Sequence, residues 1–196
     1  GYVTEILDLG GGYGVRYTEN DPVIDIADNI RQVAEALKAT AAGLGIDLPS
    51  IRLEPGRSIV ADAGMTLYTV GTVKRIPGYK NYVSVDGGMT DNPRFALYRS
   101  AYTVFIANKM NEKCDMECSV VGRCCESGDI IQEHVMVPSS VCRGDICAVA
   151  TTGAYNYSMA SNYNRIGRLP VAMINNGKTS LAVLRETLED IVANDM

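Results

Sequence analysis

The chain has 196 residues, 46% hydrophobic and 21% charged, with 19 Gly, 7 Pro, no Trp and a formal net charge of −5. These proportions exclude a collagen-like, low-complexity or disordered chain. No apolar run reaches the roughly 18 residues of a membrane-spanning helix, so no membrane is expected, and a negative balance speaks against nucleic acid as a partner, which needs a basic face.

The chain opens without an initiator Met and runs almost at once into apolar sequence. That reads as a chain entered midway, and the polar tail from Ala193 to Met196 reads as a natural stop. The expectation is the C-terminal portion of a longer protein. Ile6-Leu7-Asp8-Leu9, closed by Gly10-Gly11-Gly12, predicts a short buried strand and a tight turn. From Ile24 to Leu44, Ile24, Ile26, Ile30, Val33, Ala34 and Leu37 recur at helical spacing. Asp28, Arg31, Glu35 and Lys38 take the other face. This predicts an amphipathic helix ending near Gly43 and Gly45. Ile51-Arg52-Leu53-Glu54 predicts a second strand, closed by Pro55-Gly56. Strand, helix and strand within about 50 residues form a βαβ unit, which implies a parallel sheet or barrel.

Beyond Gly64 the character changes. Short Val-, Thr-, Tyr- and Ile-rich runs follow: Leu67 to Val73, Tyr82 to Val85, Tyr102 to Ile106, Cys118 to Val121 and Ile146 to Val149. Turn residues separate them, which predicts an antiparallel sandwich or small barrel. Tyr155 to Tyr163 suits one or two helical turns. Val171 to Ile174 and Ser180 to Val183 predict a hairpin across Asn175-Asn176-Gly177, and Arg185 to Val192 a closing helix. The fold class is therefore α/β plus all-β, with domains at 1–63 and 64–196.

The six cysteines do not follow a zinc spacing: Cys114 and Cys118 are followed by no second such pair and no nearby His. No metal is expected. With no signal-peptide pattern they read as reduced thiols of a cytoplasmic protein, mostly small buried apolar groups.

Five segments suggest chemistry. Asp8 to Gly14 is a glycine-rich turn after a strand, where backbone N–H groups approach an anion closely, a phosphate above all; tight packing is the other reading. Glu54-Pro55-Gly56-Arg57 ends the next parallel strand, the place where barrels carry sites, and its Arg57 favours anion contact over a solvated charge. In Asp86 to Tyr98, Arg94 and Tyr98 are spaced to reach one carboxylate, a guanidinium fork beside a neutral phenol; alternatively the segment is a connection rich in turn residues. Gly122 to Asp129 sets Cys125 beside Glu126, a thiol acid next to a carboxylate, although adjacent cysteines also serve plain packing. Gly153 to Asn164 is dense in Tyr, Ser and Asn, which suits a cofactor-facing surface.

As a set, LDLGGGYG (7–14), EPGRSIVADAG (54–64), DGGMTDNPRFALY (86–98), GRCCESGDII (122–131) and GAYNYSMASNYNRIGR (153–168) resemble the pyridoxal-phosphate decarboxylases of the alanine-racemase-like fold. Within that family they are most similar to the branch acting on diaminopimelate. The resemblance implies the last part of a TIM (β/α)8 barrel over 1–63, a β domain over 64–196, and decarboxylation of meso-2,6-diaminopimelate to L-lysine with pyridoxal 5′-phosphate. It implies that Gly12 and the turn Glu54, Pro55, Gly56, Arg57 bind the cofactor phosphate. Arg57, Arg94 and Tyr98 would hold the distal carboxylate of the substrate, and Glu126 its distal ammonium. Cys125 would be the acid that protonates the product carbon, and Tyr155 would touch cofactor and substrate. It also implies a homodimer in which Cys125 and Glu126 reach the partner's site. The family's Schiff-base lysine and the histidine stacked on the cofactor ring lie upstream. None of the six lysines here, nor His134, stands in a matching motif, so the missing half is expected elsewhere. Phe95 stands where the family usually has Pro. The readings weighed against this one are a relative acting on carboxynorspermidine or a basic amino acid, and a non-catalytic dimerisation module.

Overall fold

The computed structural model describes residues 3–196. Its first element, β1 (Ile6–Asp8), pairs in parallel with β2 (Ser50–Arg52), Leu7 facing Ile51. Between them runs helix α1 (Ile26–Leu44). The Asp25 carboxylate accepts the Asp28 N–H at 2.9 Å and caps its start. Gly45, at φ 65°, closes its end in the left-handed conformation that glycine adopts freely. This is the expected βαβ unit. The apolar stripe of α1 is not covered, however. Only Ala41 is buried in the helix, and Ile30 and Val33 are each 40% exposed. Two short strands are too narrow a surface to bury a helix face.

After α2 (Arg57–Val60) the chain builds one six-stranded sheet from β3 (Met65–Arg75), β4 (Asn81–Val85), β5 (Val104–Ile106), β6 (Cys114–Val121), β7 (Ile130–Pro138) and β8 (Ile146–Ala150). Helix α3 (Arg94–Tyr98) lies in the β4–β5 connection. The strand order is β5-β8-β3-β4-β6-β7. The two edge strands approach each other, and the Tyr102 N–H donates to Gln132 Oε1 at 2.9 Å across the gap, so the sheet curls into a nearly closed barrel. Its core is set by alternation: Tyr68 and Val70 point in from β3, while Leu67 and Thr69 point out. Val83, Val120, Ile131, Val137, Cys147 and Val149 complete it, all with essentially no exposure.

The purely antiparallel expectation needs correction. β4 and β6 pair in parallel, Val83 facing Val120, which the long connection through α3 and β5 makes possible. β7 was not among the expected strands, because Gln132, Glu133 and His134 interrupt its apolar run. Here Glu133 is paired with Lys80 at 2.7 Å, and His134, at φ 56°, marks an irregular register. The cysteines also depart from expectation: Cys118 and Cys147 are buried, Cys124 is half-buried, and Cys114, Cys125 and Cys142 are exposed. Burial pushes the Cys118 thiol up to about 11 and the Cys147 thiol up to about 12.

The hairpin of β9 (Val171–Asn175) and β10 (Lys178–Val183) forms as read. Asn176 and Gly177 both take positive φ, as a tight two-residue turn between antiparallel strands requires. Helix α4 (Leu188–Val192) opens with a reciprocal cap between Thr187 and Asp190. The segment 155–163 is only a turn: the Met159 N–H reaches the Tyr155 carbonyl, and a short 3-10 turn follows at Tyr163–Arg165.

Candidate active site

The ladder of β1 and β2 continues past both strands. The Leu9 N–H donates to the Arg52 carbonyl at 3.0 Å, and the Glu54 N–H to the Gly10 carbonyl at 2.7 Å. The glycine turn and the Glu54-Pro55-Gly56-Arg57 turn therefore lie side by side. Gly11 must be glycine, since a Cβ there would sit 2.2 Å from the Glu54 carbonyl oxygen. Gly12, at φ 86°, has no heavy atom within 4 Å of its missing Cβ, so its outer face is open. Bare backbone beside a cationic turn is the arrangement an anion needs.

Arg57 leads from this turn into a cluster of rings. Its Cζ lies 5.3 Å from the Tyr155 ring centroid and 6.0 Å from that of Tyr17. Arg94 reaches the same Tyr155 ring at 4.7 Å and that of Tyr98 at 5.4 Å. Two guanidiniums thus meet on one phenol ring, a contact that steadies cations where water is partly excluded. The Tyr155 phenol holds the Arg57 pKa above its ordinary value against the opposing pull of burial. Tyr155 itself has φ 73°, an uncommon conformation for an aromatic residue.

Long-range backbone contact puts Tyr155 there. A Cβ on Gly64 would lie 2.5 Å from Gly153 Cα, and one on Gly153 would lie 1.9 Å from the Val60 carbonyl oxygen. The Thr152 N–H donates to the Gly64 carbonyl and the Gly153 N–H to the Ala61 carbonyl. These contacts lay the segment after Gly153 directly onto the one after Arg57.

Tyr17 and Tyr102 belong to the same cluster and were not singled out as site residues from the sequence: Tyr17 stands in no motif, and Tyr102 was read only as the start of a strand run. Their rings meet edge to face with centroids 5.1 Å apart. Buried Tyr102 donates to Asn156 Oδ1 at 3.2 Å. Burial drives its phenol up to about 12, with Arg94 pulling the other way. The Tyr17 hydroxyl, Arg94 Nε and Asn156 Nδ2 are buried without a hydrogen-bond partner. A buried polar atom without a partner is costly, and three on residues of one ring cluster fit a polar ligand.

Cys125 and Glu126 lie elsewhere. Their turn is held by Asp129, 4% exposed, whose carboxylate accepts the Met89 and Cys124 N–H groups, each at 2.6 Å. Neither Gly88 nor Gly122 has room for a Cβ, which would fall 2.5 Å and 2.2 Å from that carboxylate. Glu126 turns back to accept Ser127 Oγ and the Gly128 N–H. Cys125 is exposed and borders a shallow cavity of about 500 Å³ with Arg123, Asn164, Arg165 and Leu188. Among the described residues, no hydrogen bond, ion pair or ring contact joins Cys125 or Glu126 to Arg57, Arg94, Tyr98 or Tyr155. The chain brings together Gly12, the Glu54–Arg57 turn, Arg94, Tyr98 and Tyr155, and the thiol and carboxylate make no such direct contact with that cluster. No group of three or more His, Cys, Asp or Glu side chains among the described residues is placed to hold a metal ion.

The C-terminal sheet domain of the pyridoxal-dependent decarboxylases matches residues 2–153. The chain belongs to that family. It is 50% identical, over 195 residues, to the diaminopimelate decarboxylase of Bacillus subtilis strain 168, covering all of this chain and 44% of that enzyme. Among solved structures it resembles the diaminopimelate decarboxylase of M. jannaschii, with TM-score 0.91 and 32% identity over all of this chain and 44% of that one. The same enzyme in complex with L-lysine gives TM-score 0.86 and 34% identity over 98% of this chain and 43% of that one. The chain thus spans under half the length of the relatives it matches. No helix among the described residues is long and apolar enough to cross a membrane.

Proposed function

We propose that the chain is the C-terminal portion of a cytoplasmic enzyme that converts meso-2,6-diaminopimelate to L-lysine with pyridoxal 5′-phosphate. The observation that carries this reading is the convergence of Arg57 and Arg94 on the Tyr155 ring, beside the paired turns at Gly12 and Glu54 to Arg57. Residues 1–63 would be the last part of a TIM barrel, and 64–196 the β domain that supplies substrate contacts. The exposed apolar stripe of α1 supports a barrel that continues beyond this chain.

Gly12 and the Glu54, Pro55, Gly56, Arg57 turn would hold the cofactor phosphate through open backbone N–H groups and one guanidinium. When bound, the cofactor supplies the sink for the electron pair left by loss of CO2. Arg57, Arg94 and Tyr98 would grip the distal carboxylate, with Tyr155 against both cofactor and substrate. This grip is also a filter: a diamine or lysine would leave two guanidiniums without their partner, which a site tolerates poorly. Glu126 would bind the distal ammonium, and Cys125 Sγ would deliver the proton to the carbon that lost CO2. Because no hydrogen bond or ring contact joins Cys125 or Glu126 to the arginine cluster among the described residues, the reading calls for a homodimer whose sites are completed across the interface.

The test is Arg94→Ala in the full-length enzyme. Loss of one charged contact should raise the apparent KM for diaminopimelate by about tenfold or more and weaken discrimination against lysine as a competing ligand. An unchanged preference for diaminopimelate over lysine would refute the distal-carboxylate assignment.

A further inference from the structure

Cys125 is exposed, yet its backbone is held with more precision than an exposed turn needs. Its N–H donates to the side-chain oxygen of Asn164 at 2.7 Å, across 39 positions of sequence. The preceding N–H, that of Cys124, goes to Asp129. Two consecutive amides are thus fixed by two side chains from different segments. Asn164 has φ 55° and ψ 23°, and Arg165 follows at φ 56°. Two successive left-handed residues without a glycine are uncommon, and Asn is among the few side chains that accept the conformation. Such backbone persists where its surroundings over-determine it.

The surroundings do so here. Asn162 Nδ2 donates to Glu186 Oε2 at 2.6 Å and to the Ile166 carbonyl at 3.1 Å. Arg165 is anchored on Asp195 at 3.0 Å and on the Ile191 carbonyl at 3.3 Å. The Ser161 N–H reaches the Thr90 carbonyl at 2.8 Å. The turn is pinned to three other segments, and the Asn164 oxygen is delivered from a fixed base.

We propose that Asn164 is a positioning residue for Cys125: its amide oxygen holds the Cys125 N–H and so sets the direction in which the thiol is presented. Fixing that N–H, with the Cys124 N–H held on Asp129, fixes the plane of the peptide before Cys125 and so the place of the Cα from which its thiol departs. The inference rests on the proposed role of Cys125 as proton donor, where a misplacement of about 1 Å can cost about a hundredfold in rate. Asn164 does not touch the reacting atoms.

The experiment uses the full-length holoenzyme with three substitutions. Asn164→Gly keeps the left-handed backbone at least cost and removes the acceptor. Asn164→Asp keeps an acceptor oxygen in place, and Asn164→Gln moves the same amide one methylene outward. In the Gly and Gln variants kcat should fall by about tenfold with KM within about threefold, the split that marks a contribution made in the transition state. Iodoacetamide labelling of Cys125 should change rate by about threefold or more in the same two variants. The cofactor absorbance band should be unchanged, and Asn164→Asp should restore most of both readouts. Wild-type kcat and wild-type labelling in Asn164→Gly would overturn the proposal, as would equal losses in the Asp and Gly variants. Cys125→Ala separates the two levels: if it retains full kcat, the acid role of Cys125 fails, while the labelling rates still score the Asn164 anchor.

Discussion

Asp129 is the most demanding single position in the thiol-bearing turn. Its carboxylate accepts two backbone N–H groups at 2.6 Å, from Met89 and Cys124, and so ties the turn after β6 to the one after β4. Asp129→Asn keeps the shape but replaces one oxygen with an NH2 group, which then faces an N–H donor. The side chain cannot swing away, because the backbone at Gly88 and Gly122 lies closer than a Cβ could. One charge-assisted bond is lost and one partly buried donor is orphaned, at a combined cost of about 3 kcal/mol. That is about 150-fold in the local opening equilibrium. Hydrogen–deuterium exchange on the full-length enzyme reads it directly: peptides over 86–92 and 122–130 should exchange faster by up to that factor, at whichever amide the remaining oxygen does not face. A peptide over β8 serves as control. Exchange within about threefold of wild type in both segments would refute the clamp.

Two further outcomes follow from the geometry. If sites are completed across a dimer, full-length subunits carrying Cys125→Ala, mixed with subunits lacking the upstream lysine, should recover about a quarter of wild-type activity, since about half the dimers are mixed and each has one intact site; no recovery despite heterodimer formation would place the site within one chain. Asp145 concerns acid stability: burial works to raise its pKa, but bonds from Asn108, the Cys142 N–H and Lys109 outweigh it and hold it at about 2. Its folded value lies below the ordinary 3.8, so its contribution is complete above about pH 4 and is lost as pH falls toward 2. Urea midpoints of Asp145→Asn should therefore fall less steeply than wild type across that window, and parallel curves would contradict the assignment.

Much of the β architecture could be read locally. Val-, Thr-, Tyr- and Ile-rich runs marked β3, β4 and β8, the Asn-Gly pair marked the β9–β10 turn, and Gly43 and Gly45 marked the end of α1. Each is a short-range signal, a steric or hydrogen-bond demand met within a few residues. β7 escaped because Gln132, Glu133 and His134 interrupt its apolar run, the Glu133 charge being met by Lys80 from the turn before β4. The parallel pairing of β4 with β6 escaped because nothing in either strand records its neighbour.

The site divides in the same way. The residue types proposed for anion binding, carboxylate recognition and proton donation stand in contiguous motifs, so sequence alone determined which chemistry to propose for the chain. Sequence could not determine which motifs meet. The close approach of Gly64 and Gly153 brings the Tyr155 ring to two arginines, one of which also meets Tyr17, the edge-to-face partner of Tyr102. The anchoring of Cys125 by Asn164 belongs to the opposite face of the problem. Both are contacts between distant segments, enforced by packing and by the need to satisfy backbone N–H groups, and they leave no periodic trace along the chain.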